Sequence, residues 1–192
     1  NGFDQPLLVQ FGNFVGDALR FDFGQSLAQQ RPAAVAALSA MPQTVLLAFV
    51  AMSLTLLVAI PLGTFAALKP NSPRDSAITM FSLFTASIPD FWFALVCVLV
   101  FSVNLGLLPT SGQASLLSWV LPVATVMLHP VGVITQVVRG AMLDTLNAGY
   151  VQNARARGYS WRRLAFRHAL RNAALPIITV AGDRAGGMGN GA

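Results

Sequence analysis

The sequence predicts an all-α membrane protein, a polytopic bundle of transmembrane helices, and three observations carry that prediction. Of the 192 residues 55% are hydrophobic and only 10% are charged, whereas a soluble domain carries about 25% charge. Uncharged stretches such as Val45 to Leu68 reach the roughly 20 residues that a helix needs to cross about 30 Å of hydrocarbon. The basic residues are concentrated, with seven Arg against one Asp between residues 139 and 172, as in a loop on the cytoplasmic face of a membrane.

The elements follow in order. In residues 1–42, Leu7, Leu8, Phe11, Phe14, Val15, Ala18 and Leu19 recur at helical spacing behind a start signal of Asp4 and Pro6, which predicts a helix lying against the membrane or the bundle. Phe21 to Ser26 reads as a turn around Gly24, and Arg31-Pro32 opens a short Ala-rich helix leading to Pro42. Residues 43–138 hold three transmembrane helices. The first, Val45 to Leu68, contains Pro61 and Gly63 and is expected to kink there, since neighbouring helices can satisfy the freed backbone groups. Residues 69–76 combine prolines, Asn71 and three charges in a loop. The second span, Ala77 to Val103, is expected to break or bend at Ile88-Pro89-Asp90. An uncharged turn over 104–115 leads to the third span, Leu116 to Val138, with His129 and Pro130 near its middle. Residues 173–192 read as the start of a further span, truncated or aberrant, because the stretch from Gly182 adds Asp183, Arg184 and five glycines.

Charge then orients the chain. With 139–172 cytoplasmic, three spans place 69–76 in the cytoplasm and both 104–115 and residues 1–42 outside. The chain opens on Asn1 and shows no basic-then-apolar leader in its first forty residues, so it reads as an internal fragment. The single Cys97 lies in an apolar run, which provides neither a disulfide framework nor a Cys-based metal site. Nucleic acid is not an indicated partner, because seven of the twelve basic residues lie immediately beside a span.

The 139–172 stretch reads as two helices around a sharp turn. The first runs from about Leu146 to Arg157 and stops at Gly158, a residue type that ends helices in a left-handed conformation. The second starts with Ser160 as N-cap. Its Arg163, Arg167 and Arg171 are four apart and share one face, while Leu164, His168 and Leu175 turn another way. A short helix projecting from the membrane and ending in a Gly turn is suited to docking. Arg162, Arg163, Arg167 and Arg171 fit two readings: pairing with acids on a partner, or attraction to an anionic leaflet at about 1 kcal/mol each.

This stretch resembles the cytoplasmic signature loop of binding-protein-dependent ABC permeases, whose pattern is Glu-Ala-Ala, three residues, Gly, and later Leu-Pro. Ala154, Gly158 and Leu175-Pro176 occupy that spacing, with Gln152 and Asn153 standing where the pattern has Glu and its first Ala. Tyr150-Val151, Ala154 to Gly158 and Arg167 to Asn172 are similar to the dipeptide, oligopeptide and nickel branch, in its B-type subunit. Asp22-Phe23-Gly24, Pro61-Leu62-Gly63, Ser87-Ile88-Pro89 with Phe91-Trp92, and Leu121-Pro122 resemble the same branch in order. The resemblance implies the ABC type I importer permease fold with six spans, and a non-catalytic subunit that forms a path for peptides, nickel or a related small solute. It also implies that Tyr150, Ala154, Arg155, Ala156, Arg157 and Gly158 couple to a groove on a separate ATPase. The partners implied are ABC ATPase subunits, a second permease subunit in a homo- or heterodimer, an external solute-binding protein and membrane lipid. The location implied is a bacterial or archaeal plasma (inner) membrane, crossed several times. The chain has no Gly-rich phosphate loop ending in Lys-Ser or Lys-Thr, so ATP hydrolysis falls to the partner. No catalytic residue and no cofactor is implied.

Two polar residues inside the spans are candidates for the translocation path. Asp90 is the one acid within an apparent span. It either caps the helix break behind Pro89 or lines the substrate path, because a buried intramembrane carboxylate is costly. His129 reads as a bundle histidine rather than a metal ligand, having no second ligand three or four residues away. An ion-gradient-driven secondary transporter is the rival function, with Asp90 and His129 as its sparse midplane polar pair. A membrane anchor without transport activity is the other rival, and the kinked spans argue against it.

Overall fold

A computed structural model describes residues 6–20, 22–26, 30–110, 112, 115–159 and 170–191. Among the described residues regular structure is helical, with an isolated bridge between Gln25 and Pro32. The chain divides into two units, residues 1–46 and 47–192. In the first, α1 (Leu7–Leu19) starts at Pro6 and has no buried residue. Asp4 lies outside the described residues. The expected turn is present: Gly24 takes φ +69° and donates its N–H to Asp22 Oδ1 at 3.0 Å.

The next helix differs from expectation. A single helix, α2 (Ala33–Leu68), replaces the separate Ala-rich segment and first span and runs unbroken through Pro42 and Pro61. Each proline removes one amide donor, but in apolar surroundings the helix remains the only arrangement that satisfies the other backbone groups.

In the second unit the 69–76 loop proves shorter, because α3 (Pro73–Ser87) already begins at Pro73. Its start is well specified: Ser72 is the N-cap, its hydroxyl accepts from Asp75 N at 3.3 Å, and Pro73 occupies the first turn. The expected break is sharp. Ile88 and Pro89 are extended, α4 (Asp90–Cys97) follows and passes into a π-helical stretch at Val98–Asn104, and the two limbs meet at 94°. Proline disfavours helical geometry at the residue before it, so Ile88 has to leave the helix.

A 3₁₀ turn (Leu116–Trp119) leads into α5 (Val120–Asn147), which continues past Val138, where the sequence suggested an end. Arg139 does not end the helix because it is paired: its Nε and Nη2 donate to Asp75 Oδ1 and Oδ2 at 2.6 and 2.7 Å. Asp75 is buried, and it also accepts from Asn71 N at 2.9 Å and Thr79 Oγ1 at 3.5 Å. Arg74 donates to the Phe65 carbonyl and lies 5.7 Å from the Phe65 ring centroid, which ties the same turn to the end of α2. Then come α6 (Gly149–Ala156) and α7 (Leu170–Gly191), and α7 stays helical through the Gly-rich tail. Ser160, Arg162, Arg163, Leu164, Arg167 and His168, with the start of the second loop helix, lie outside the described residues.

The core is centred on α5, which packs against α3, α4, α6 and α7. Its contacts depend on small residues. A Cβ on Gly63 would stand 2.6 Å from both the Thr135 carbonyl oxygen and Val138 Cβ, and a Cβ on Gly132 would stand 2.5 Å from Thr85 Oγ1 and 2.9 Å from Ala86 N. Helix backbones therefore touch there, as in helices associating without a hydrophobic drive, and Ala51, Ala59, Ala67, Ala173 and Ala181 share the rest of the interior with larger side chains such as Ile134, Val138 and Met142. Large side chains such as Phe49, Leu57, Phe84, Phe91 and Leu175 are exposed. Ala33–Leu68 and Leu116–Asn147 are long and apolar enough to cross a membrane, and the bent pair α3–α4 makes a third crossing if counted as one span. The fold class read from the sequence, an all-α membrane bundle, stands.

Two outcomes are expected in thermal unfolding of the full-length protein in detergent. Gly132→Val should cost about 1–3 kcal/mol by overpacking, while Gly140→Ala, with open space around its Cβ, should change stability by less than about 0.5 kcal/mol or improve it. Asp75→Asn should cost about 3 kcal/mol by leaving Arg139 uncompensated, and adding Arg139→Gln should recover part of that loss. Equal behaviour of the single and double variants would contradict the pairing.

Candidate functional site

The expected docking segment folds as a short helix joined to α5 by one extended residue. Ala148 takes φ −65°, ψ 141° and closes the end of α5 by donating its N–H to the Thr145 carbonyl at 3.1 Å. Its own carbonyl accepts from Val151 N at 3.0 Å and Gln152 N at 3.2 Å, which starts α6. Gln152, the departure from the signature pattern, donates through Nε2 to the Asn147 carbonyl at 3.2 Å. A carboxylate, being an acceptor only, cannot make that bond.

The far end is a Schellman-type stop. Gly158 has φ +88°, and Tyr159 N donates to the Ala154 carbonyl at 3.3 Å, the six-to-one bond of that motif. The predicted stop at Gly158 is thus realised in geometry that side chains rarely adopt. Burial separates the expected contact residues. Val151 is buried and Ala154 packs partly on the core, while Tyr150, Ala156, Arg157 and Gly158 are exposed. Arg155 lies within α6. Of the residues expected to couple, Tyr150, Ala156 and the turn are thus exposed, while Ala154 rests against the core.

The two expected path residues, Asp90 and His129, meet elsewhere, in a cleft of about 740 Å³ between α4, α5 and α7. None of the α6 residues lines it. Asp90 is exposed in the first turn of α4, and that helix start has no side-chain cap hydrogen bond. Asp90 thus makes no capping hydrogen bond at this helix start, and it lines the cleft. His129 Nδ1 lies 3.0 Å from the Ala86 carbonyl oxygen. A carbonyl only accepts, so Nδ1 carries the proton and donates. Ala86 is in the last turn of α3, whose carbonyls lose their helical donors at the Ile88-Pro89 break. His129 is the bundle histidine that repairs this end, and among the described residues no three His, Cys, Asp or Glu side chains gather to hold a metal.

Sequence reasoning missed three contributors. Arg184 of α7 also lines the cleft. It was obscured by its glycine-rich surroundings, although an Arg following an apolar helical run was the available signal. Asp75 and Arg139 looked like loop charges, and their opposite signs at the ends of successive spans were the clue to a pair.

Sequence relationships agree with these features. Residues 59–192 match the family described as binding-protein-dependent transport system inner membrane component. The chain is 36% identical, over 94% of its length, to the oligopeptide transport system permease protein AppB of Bacillus subtilis (strain 168), covering 61% of that protein. It is 33% identical over its whole length to the di/tripeptide transport system permease protein DppB of Pseudomonas aeruginosa (strain UCBPP-PA14), covering 65% of it. It is 34% identical over 93% of its length to the oligopeptide transport system permease protein OppB of Haemophilus influenzae, covering 60%. The chain thus spans about three-fifths of the length of these relatives. A bent span, a short helix closed by a left-handed glycine, and a match over most of the sequence converge on one assignment: this chain belongs to the family of binding-protein-dependent transport system inner membrane components.

Proposed function

We propose that the protein containing this chain is the permease subunit of an ATP-driven importer of peptides in a bacterial inner membrane, with α6 as the element that docks onto a separate ATPase. The observation that carries this reading is α6 itself: an exposed helix, seated through Val151 on the core and joined to α5 through the single residue Ala148. The names of the relatives, oligopeptide and di/tripeptide permeases, support peptide as the cargo. The family description supports a solute-binding protein outside the membrane. A second permease subunit completes the path, and the 139–172 region, residues 139–147 of which extend α5, faces the cytoplasm.

Mechanically, a groove on the ATPase that moves with nucleotide would push α6. With Val151 buried and the joint one residue long, the push would pass to α5 and then to the helices packed on it. Rigid-body transfer of this kind switches helix bundles between alternative packings. Neither the family description nor the names of the relatives points to the ion-gradient alternative.

Two tests follow. A Cys at Ala156 in the full-length protein, in membranes containing the partner ATPase, should crosslink to it in a nucleotide-dependent manner, whereas a Cys at the buried Val151 should not. Gly158→Val should leave membrane insertion intact and lower ATP-driven uptake by roughly tenfold or more, because a β-branched residue cannot hold φ +88° without strain. Uptake that survives ATP depletion but collapses with the ion gradient would overturn the reading.

A further inference from the structure

Asp90 and Arg184 line the same cleft from α4 and α7 with opposite charges, yet among the described residues no ion pair joins them. Arg184 Nε is buried without a hydrogen-bond partner, and its nearest acid is Asp183, 4.0 Å away on a largely exposed side chain. Asp90 is exposed and the Arg184 side chain is 40% exposed, so both charged ends can be reached, and a cleft that keeps both offers complementary ends to a ligand carrying both charges. Pro130 adds an acceptor: it has no N–H, so the carbonyl of Val126, also in the lining, lacks its helical donor. Phe91 supplies apolar wall. The volume of about 740 Å³ falls within the roughly 300–1,000 Å³ of small-ligand sites, which suits a short peptide rather than a bare ion.

Resting on the importer reading above, we propose that this cleft is a recognition site within the permease itself for short zwitterionic peptides: Arg184 takes the terminal carboxylate, and Asp90 with the Val126 carbonyl takes the terminal ammonium. Specificity then resides partly in the membrane subunit. Guanidinium–carboxylate bonding supplies the selective contact at one end, and the ammonium charge supplies it at the other.

The test uses the full-length permease complex with its ATPase in lipid nanodiscs, without the solute-binding protein, titrated with trialanine, trialanine amide and N-acetyl-trialanine and read by saturation-transfer NMR. The wild type should bind trialanine saturably and roughly tenfold more tightly than either blocked peptide, as loss of one charge-assisted hydrogen bond implies. Arg184→Gln should weaken trialanine by about the same factor, leave the amide within about twofold, and be largely rescued by Arg184→Lys. Asp90→Asn should do the mirror experiment, weakening trialanine but not N-acetyl-trialanine. No saturable binding, no discrimination by the wild type, or an equal loss for all three peptides in Arg184→Gln would overturn the proposal. ATP-driven trialanine uptake by the complete system, measured in parallel, separates the two levels. Wild-type uptake with a cleft that binds nothing overturns this inference alone, and absence of any peptide uptake overturns the importer reading beneath it.

Discussion

The bidentate pair between Asp75 and Arg139 is the constraint on which the rest of the structure depends. It joins residues 64 apart in sequence, and its carboxylate is almost wholly buried. Either charge alone at that depth would be strongly unfavourable, and together, with Asn71 N and Thr79 Oγ1 completing the carboxylate's shell, they form a satisfied unit. Two consequences follow from the pair. The start of α3 is fixed against α5, and α5 continues beyond its apolar stretch to Asn147, after which Ala148 joins it to α6.

From that clasp the packing proceeds along α5 by close approach at two glycine contacts and by the buried side chains of Ile134, Val138 and Met142. Gly132 brings α5 against the α3 backbone and Gly63 brings α2 against α5, so the positions of three helices are set by contacts that tolerate no added methyl group. His129 completes the arrangement from the same helix by bonding the Ala86 carbonyl at the α3 break. One helix therefore carries one side of the ion pair, the backbone contacts, the repair of the bend, one of the three walls of the cleft, and the joint to α6.

Much of this was legible in the sequence, and the parts that were not have identifiable reasons. Charge-free runs revealed the spans, Pro89 revealed the break, and Gly158 revealed the helix stop, because each depends on a local property that neighbours rarely override. The continuity of α2 through Pro42 was not legible: proline signals a boundary in water, whereas apolar surroundings remove the competing hydrogen-bond partners. The extension of α5 was hidden for another reason. Arg139 reads as a cytoplasmic charge until Asp75 is placed beside it, and that pairing is a tertiary fact. In the cleft, Asp90 and His129 were recognisable as polar residues in apolar runs, while their different occupations, one open to the cleft and one committed to a carbonyl, needed the position of Ala86. Arg184 was masked because glycines around it suggested an irregular tail where the chain is in fact helical.

The right-angled bend also bears on how such a chain enters a bilayer. Neither α3 nor the α4 limb, at 15 residues from Pro73 to Ser87 and 8 from Asp90 to Cys97 before the π-helical stretch, matches the roughly 20 residues of a full crossing. The broken backbone at Ile88 and Pro89 is tolerated at membrane depth only where protein covers it, and part of that cover, His129, is made later in synthesis. The bend is therefore not completed by its own segment: one of its freed carbonyls is satisfied by His129, 43 residues further along the chain.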